Sequence, residues 1–475
     1  MLLLAAGFLV SLASGFLLVS LFWPSRRPSL RDLPLQLSLS AGLGLGLSGC
    51  VAFAVAALAG PSRAAIITGD LVALALLAAL VGARQMSKKP QPTQDLPPST
   101  PAAPWVKWLM VGFILLLALG VWSFATGVMV IPDGAWDTWT FWNLRAKYLV
   151  QNDPAQWKLA FEPVKGMIGF HPEYPPLFPM MLARLWQWQG DVSRHASILL
   201  AATFTFATLS LLVSALWRIS TPGKGLVAGA VLLGLPLFIR HGTWQYADLP
   251  IAWFFLAALA LLTLHDAIGG KGFGLCALAG AACAMAALTK NEGILFLAVA
   301  ALAWGALTWW RGDRATRDAS LGAFLAAAAP AAALLVYFET CVAPDVPLLA
   351  PEGAVAPWAV HFDRAGAVLR FFWTSVTAFE YWGPLPWVLP FYLLLAGARV
   401  EKRERRSVTV CLAVVALMLA GYFGVYLVTR DELTWLLMTT MARVLVQACP
   451  IVLFTFFMVA SPPERVELEP GKAAK

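Results

Sequence analysis

Residues 106–130, VKWLMVGFILLLALGVWSFATGVMV, hold a single charged side chain, Lys107. A helix rises about 1.5 Å per residue, so this run is long enough to cross a hydrocarbon core roughly 30 Å thick. A helix also satisfies its own backbone hydrogen bonds, which the interior of a bilayer demands. Runs of the same kind recur to either side. Before it they lie at roughly 2–23, 35–60 and 64–83. After it they lie at roughly 195–217, 225–239, 249–265, 273–289, 294–310, 320–342, 384–399, 408–428 and 444–460. The 475-residue chain is 60% hydrophobic and only 13% charged, too little charge to cover a soluble domain of this size. The period-two alternation of an outer-membrane barrel is absent. The expectation is an all-α, polytopic helical membrane protein with about 13 transmembrane helices.

The net charge of +8 does not point to nucleic acid, because the cations sit in short clusters between the apolar runs. Arg26, Arg27 and Arg31 follow the first span, and Lys88 and Lys89 the third. Arg218 and Lys224 follow the fifth, Arg311, Arg314 and Arg317 the ninth, and Lys402, Arg403, Arg405 and Arg406 the eleventh. Counting spans in order puts all of these on one side, which the positive-inside rule makes cytoplasmic. The N-terminus is then outside and the C-terminus inside. Met1 to Trp23 has no basic residue and no clear cleavage site, so it reads as an uncleaved first span. The six cysteines show no metal or redox spacing. The chain divides into a three-helix segment (1–84), a cytoplasmic linker rich in Pro, Gln, Thr and Ser (85–104), a core (105–460) and a cytoplasmic tail (461–475). The linker reads as a tether and the first three helices as an addition to the core.

The loops opposite the basic side collect unusual residues. The stretch 131–194 is too long for a simple connector and contains Trp136, Trp139, Trp142, Trp157, Trp186 and Trp188. Tryptophan prefers the headgroup level, so Asp137–Val150 and Pro175–Gln189 read as helices lying along the outer membrane surface. Asp137 follows Trp136 beside the bilayer, where a carboxylate with a raised pKa can act as a base. The run His171-Pro-Glu173-Tyr174-Pro-Pro stiffens the backbone around Glu173. Tyr246-Ala-Asp248-Leu-Pro250 puts a carboxylate at the start of a span, where an ordinary helix cap is the competing reading. Thr289-Lys290-Asn291-Glu292-Gly293 places a cation against the positive-inside trend; a lysine snorkelling to water is its plain alternative. Thr429 to Arg443 adds Arg430, Asp431, Trp435 and Arg443. Acids and bases thus converge on one face, as an enzyme acting on a lipid-linked phosphate requires: a carboxylate activates the nucleophile, and cations hold the phosphate. No nucleotide fingerprint occurs in the chain.

The order GAWDTWTFWNLRAKYL (134–149), HPEYPPLFP (171–179), YADLP (246–250), LTKNEG (288–293), TRDELTWLLMTTMARVL (429–445) resembles the family 39 type of bacterial membrane glycosyltransferases. These are similar to protein mannosyltransferases and to the lipid A aminoarabinose transferase. The resemblance covers about 105–460 and implies a GT-C-like core with outer-face interfacial helices and polyprenyl-phosphate sugars as donors. It implies that Asp137 is the catalytic carboxylate, with Glu173 and Asp248 as further site acids and Lys290 and Arg443 in donor-binding stretches. His171, Tyr174, Tyr246, Asn291, Glu292 and Trp435 fall in the same motifs, and Arg145 is a further cation for the phosphate. Two departures leave the acceptor open: Asp137 is followed by Thr138 rather than by Glu, and Arg430-Asp431-Glu432 stands where relatives read closer to Pro-His-Asp. Three carboxylates are also hard oxygen ligands, so a divalent metal ion is a candidate cofactor. The competing reading is a transporter or lipid flippase. Transporters keep ionisable groups at mid-bilayer, and here only Asp70 lies clearly inside a span, at roughly 3 kcal/mol if unpaired.

Overall fold

The computed structural model describes residues 1–25, 29–87, 103–162, 171–310, 313–344, 360–429 and 432–465. Arg26, Arg27, Lys88, Lys89, Arg311, Arg430 and Asp431, and most of the linker, lie outside them. Among the described residues the chain is helical and has no strand beyond one isolated bridge, Ala398 to Ala460. In chain order the helices are α1 (Leu2–Phe22), α2 (Leu33–Ala59), α3 (Arg63–Met86), α4 (Val106–Val130), α5 (Asn143–Leu149), α6 (Pro154–Leu159), α7 (Leu177–Gln189), α8 (Arg194–Ile219), α9 (Pro222–Leu233) and α10 (Pro236–Trp244). Then follow α11 (Asp248–Ala267), α12 (Phe273–Ala287), α13 (Asn291–Trp309), α14 (Arg314–Tyr337), α15 (Ala365–Thr377), α16 (Phe379–Trp382), α17 (Leu385–Ala396), α18 (Arg405–Val428) and α19 (Leu433–Val459).

Among the described residues ten helices are long and apolar enough to cross a membrane, or eleven if α9 and α10 count as one span bent by 65°. Three of the roughly 13 expected spans depart from one long helix per crossing. Pro236 breaks the sixth run, because proline removes a helix hydrogen bond. The eighth, α12, has only 15 residues, about 22 Å, short of the hydrocarbon thickness. The eleventh, α17, has 12 residues and completes a crossing begun by α15 and α16. That crossing starts where the Arg364 guanidinium donates to the Thr429 carbonyl. It ends where the Arg399 N–H donates to Val459.

Close packing begins with small residues. A Cβ added at Gly44 of α2 would lie 2.1 Å from the Ser11 carbonyl, and one at Gly15 of α1 would lie 2.0 Å from the Ser40 carbonyl. Only glycine lets these backbones approach so closely. On its other faces α2 receives Trp253 of α11 at Gly42 and Met181 of α7 at Gly49. The first three helices are therefore packed into the bundle, with α2 against α7 and α8 and α1 against α7 and α12. The centre is α11, every residue of which from Asp248 to Asp266 is buried.

The helix over 177–189 is not laid on the membrane surface. All residues of α7 except Gln189 are buried, between α1, α2, α3 and α8. It is apolar apart from Arg184, Gln187 and Gln189, and a helix apolar around most of its circumference belongs in an interior. Trp142, Trp157, Trp186 and Trp188 are buried with it, whereas Trp136 and Trp139 are exposed as an interfacial reading requires. The one charge on α7 explains the odd acid of α3. Arg184 Nε donates to Asp70 Oδ2 at 2.7 Å, and Trp188 Nε1 donates to the same oxygen at 2.7 Å. Asp70 is thus paired, and the pair ties α7 to α3.

The basic residues gather at one end of the bundle. Arg84 reaches the Ser20 and Trp23 carbonyls, Arg218 pairs with Asp32 and Arg406 with Asp266. The opposite end carries the candidate site.

Candidate functional site

The site is built where α4, α10, α11, α13 and α19 reach the same end. Gly134, at φ 77°, turns the chain after α4 against α10. A side chain there would strike the Trp244 carbonyl, which instead accepts from Ala135 N–H at 3.2 Å and Thr138 Oγ at 2.5 Å. Three residues on, Asp137 is fixed by its N–H donating to Tyr246 Oη at 3.4 Å. Asp248 opens α11, with Pro250 in the first turn. Lys290 is extended in the turn between α12 and α13, and Glu292 lies in the first turn of α13, where an acid suits the helix dipole. Arg443 enters from α19, whose start is capped by Glu432 accepting from the Thr434 and Trp435 N–H groups.

These segments close into one network. Lys290 Nζ lies 2.9 Å from Asp248 Oδ1 and 2.9 Å from Glu292 Oε1. Arg443 bridges two acids, its Nη2 2.5 Å from Asp137 Oδ2 and its Nε 3.2 Å from Asp248 Oδ2. Gln447 Nε2 donates to Asp248 Oδ1 at 2.6 Å and to Glu292 Oε1 at 3.1 Å. Tyr174 lies under Lys290 and Tyr246 under Arg443, with the cations 5.7 and 5.0 Å from the ring centres. Three carboxylates face two cations, so one negative charge is left over. Asp248 is wholly buried and Asp137 is 8% exposed.

Burial raises the Asp137 carboxyl above its ordinary range even with Arg443 beside it. Burial pulls the Lys290 ammonium down, but Asp248 and Glu292 outweigh that and hold it above the ordinary lysine range. The Asp137 carboxyl therefore holds a proton more readily than a free aspartate, and Lys290 keeps its charge.

Glu173 and His171 form a second group. His171 Nδ1 lies 2.8 Å from Glu173 Oε1; burial pushes the Glu173 carboxyl up, but the His171 contact, a backbone hydrogen bond and the Arg145 charge together bring it below its ordinary range. The His171 ring packs edge-on against Phe141 and beside Tyr174, on the Asp137 side of the site. Arg145 has a different job. It is buried, its Nε donates to the Ala160 carbonyl at 3.1 Å and its Nη1 to that of His171 at 3.4 Å, so it holds the loop. Asn291 is at the rim of the network at the head of α13, its buried Oδ1 without a partner among the described residues. Trp435 is half exposed on the first turn of α19, away from Arg443 by two helical turns.

Two residues escaped the sequence reading. Gln447 follows Arg443 by four, which places both on one helix face; that spacing in an apolar helix was the available signal. His241 on α10 lies 3.9 Å from Asp248 Oδ2, is 1% exposed, and neither ring nitrogen has a hydrogen-bond partner among the described residues. Nothing in its sequence setting marks it.

Arg443 stands between Asp137 and Asp248, and Lys290 between Asp248 and Glu292; no group of three or more His, Cys, Asp or Glu side chains is arranged for one ion among the described residues. No family model, no curated protein and no solved structure matches the chain.

Proposed function

We propose that this chain transfers a sugar from a polyprenyl-phosphate donor to an acceptor hydroxyl, with inversion, at the outer face of a bacterial cytoplasmic membrane. The observation that carries the reading is the meeting of Asp137, Asp248, Lys290, Glu292 and Arg443. Drawn from four distant stretches of chain, they form one buried network at a single end of a membrane bundle. In the proposed reaction the acceptor oxygen bonds to the anomeric carbon, the bond from that carbon to the phosphate oxygen breaks, and the acceptor proton passes to Asp137. The phosphate leaves with its charge held by Lys290 and Arg443. Glu173 with His171, beside Tyr174, orients sugar or acceptor hydroxyls. A GT-C-like core is part of the same proposal.

The charge balance adds a step. Because an acid already faces each cation, an incoming phosphate must displace one. Asp248 is held by Lys290, Arg443 and Gln447, whereas Asp137 has Arg443 alone among the described side-chain cations. The phosphate therefore takes Arg443 from Asp137. The freed carboxylate has a still higher proton affinity, so donor binding switches on the base.

Donor binding tests the reading. Lys290→Ala should weaken binding of a short-chain polyprenyl phosphate by about 2–3 kcal/mol, and Lys290→Arg by less. Unchanged binding by a folded Ala variant makes Lys290 a structural ion pair. Sidedness is tested by labelling from outside in a Cys341→Ser background, since Cys341 is the exposed native cysteine among the described residues. A cysteine at Asp153 should react and one at Arg314 should not; the reverse pattern puts the network on the wrong face for this donor.

The transporter reading draws on two features: the bend between α9 and α10, with buried His241, and the Asp70–Arg184 pair inside the bundle. A flippase moves the lipid phosphate between leaflets without making a new compound. Appearance of a glycosylated acceptor separates the two.

A further inference from the structure

At the basic end, far from the network, a cleft of about 630 Å³ separates α4 from α8 and the start of α2. That volume lies in the roughly 300–1,000 Å³ range of cavities that enclose small ligands. Its walls are apolar: Phe113, Leu117 and Val121 on α4 face Phe206, Leu209 and Val213 on α8. Its mouth is not. Arg31, Trp217 and Arg218 line it there, at the end of the bundle where the basic residues gather. Arg218 is tied to Asp32 at 2.6 Å. Arg31 is exposed and makes no ion pair among the described residues. One cation at the rim is therefore fixed and one is free.

A second cleft of similar size, about 660 Å³, runs between α4, α9 and α17 and is lined by Trp105, Leu109, Leu235, Trp382 and Leu385 among others, with no charged side chain. The difference at the mouth decides what each can hold. We propose that the cleft between α4 and α8 is a binding site for an anionic phospholipid, one acyl chain lying between the two helices and the headgroup phosphate on Arg31. The apolar walls match an acyl chain, the basic rim matches a negative headgroup, and Trp217 stands at the level where tryptophan meets headgroups. The lipid fills the gap that leaves α4 poorly packed on this side, and α4 is the helix that leads into the Asp137 loop. The site is independent of the reaction proposed above.

Titration of the delipidated, detergent-purified chain with phosphatidylglycerol and with phosphatidylcholine of identical chains, read by native mass spectrometry, tests it. Phosphatidylglycerol should occupy one site ahead of phosphatidylcholine. Arg31→Gln should weaken it by about fivefold, the effect of one cation near an anionic headgroup, and leave phosphatidylcholine unchanged. Val121→Trp, which fills the cleft from the lipid-facing wall of α4, should remove the preferred site. Equal binding of the two lipids by the native chain overturns the proposal, as does an Arg31→Gln variant with native affinity. Loss on Arg31→Gln without loss on Val121→Trp shows a loosely held headgroup and an empty cleft, and overturns it as well.

Discussion

Asp248→Asn is expected to lower the stability of the whole bundle end by about 3 kcal/mol, although it removes no atoms from the packing. Asp248 Oδ1 accepts from Lys290 at 2.9 Å and from Gln447 at 2.6 Å, and Oδ2 accepts from Arg443 at 3.2 Å. An asparagine must present an amide N–H₂ to one of these donors, so a donor faces a donor in a wholly buried place. The lost charge also leaves two buried cations with fewer counter-ions. Removing one partner of a buried pair costs about 3–5 kcal/mol. The lower end applies here because Lys290 keeps Glu292 and Arg443 keeps Asp137. Glu292→Gln is the comparison. Its side chain is 19% exposed and, among the described side chains, it serves Lys290 and Gln447, so its loss should cost clearly less. Thermal unfolding of both variants in detergent measures the difference. An Asp248→Asn chain that melts with the native protein shows that α11, α13 and α19 are held together by apolar packing alone.

How much of this was legible in the sequence depends on what each residue answers to. The apolar runs answer to bilayer thickness, a constraint local to each run, and every one of them is a helix. Their lengths were less legible. Pro236 and the Gly383-Pro384 corner break runs at points where tertiary contacts hold the pieces, such as Gly383 seated against the Gly234 carbonyl. Charged residues at the ends of apolar runs stand out, which is how Asp248, Lys290, Glu292 and Arg443 were found. The pairing of Asp248 with Lys290 and Arg443 was not visible, because its partners lie 42 and 195 residues away. Asp70 shows the same limit. The sequence flags a buried acid, but its partner Arg184 lies 114 residues on, in a segment whose tryptophans read as surface anchors. His241 and Gln447 gain meaning only from what faces them.

Asp137→Asn carries the largest expected effect on the proposed chemistry. The amide keeps the shape and can accept at its oxygen, but it cannot take a proton. General-base catalysis is worth about 10²–10⁴-fold, so transfer from a lipid-linked donor should fall by at least about 100-fold. Donor binding should hold or tighten, because Arg443 no longer has to be drawn from a carboxylate. The pH profile separates this from a structural loss. Burial raises the Asp137 carboxyl above the ordinary aspartate range. A base works only when deprotonated, so the native rate should fall as pH drops through that raised value, and the Asn variant should lack this acid limb. The sign is opposite for stability: a raised carboxyl favours the protonated form, so its contribution to stability is present at low pH and is lost as pH rises through the folded-state pKa. A structural role would therefore make the native chain less stable, not less active, with its charge on. Asp133 controls for disturbance of the loop. It is two-thirds exposed, at 67%, and its nearest cation, Arg194, is 3.8 Å away and 54% exposed. Such a pair is worth little, and Asp133→Asn should leave transfer almost unchanged. Equal losses in the two variants would mean that the loop matters only as structure. Full transfer by Asp137→Asn would remove the base from the mechanism, and with it the reason for Arg443 to stand between two acids.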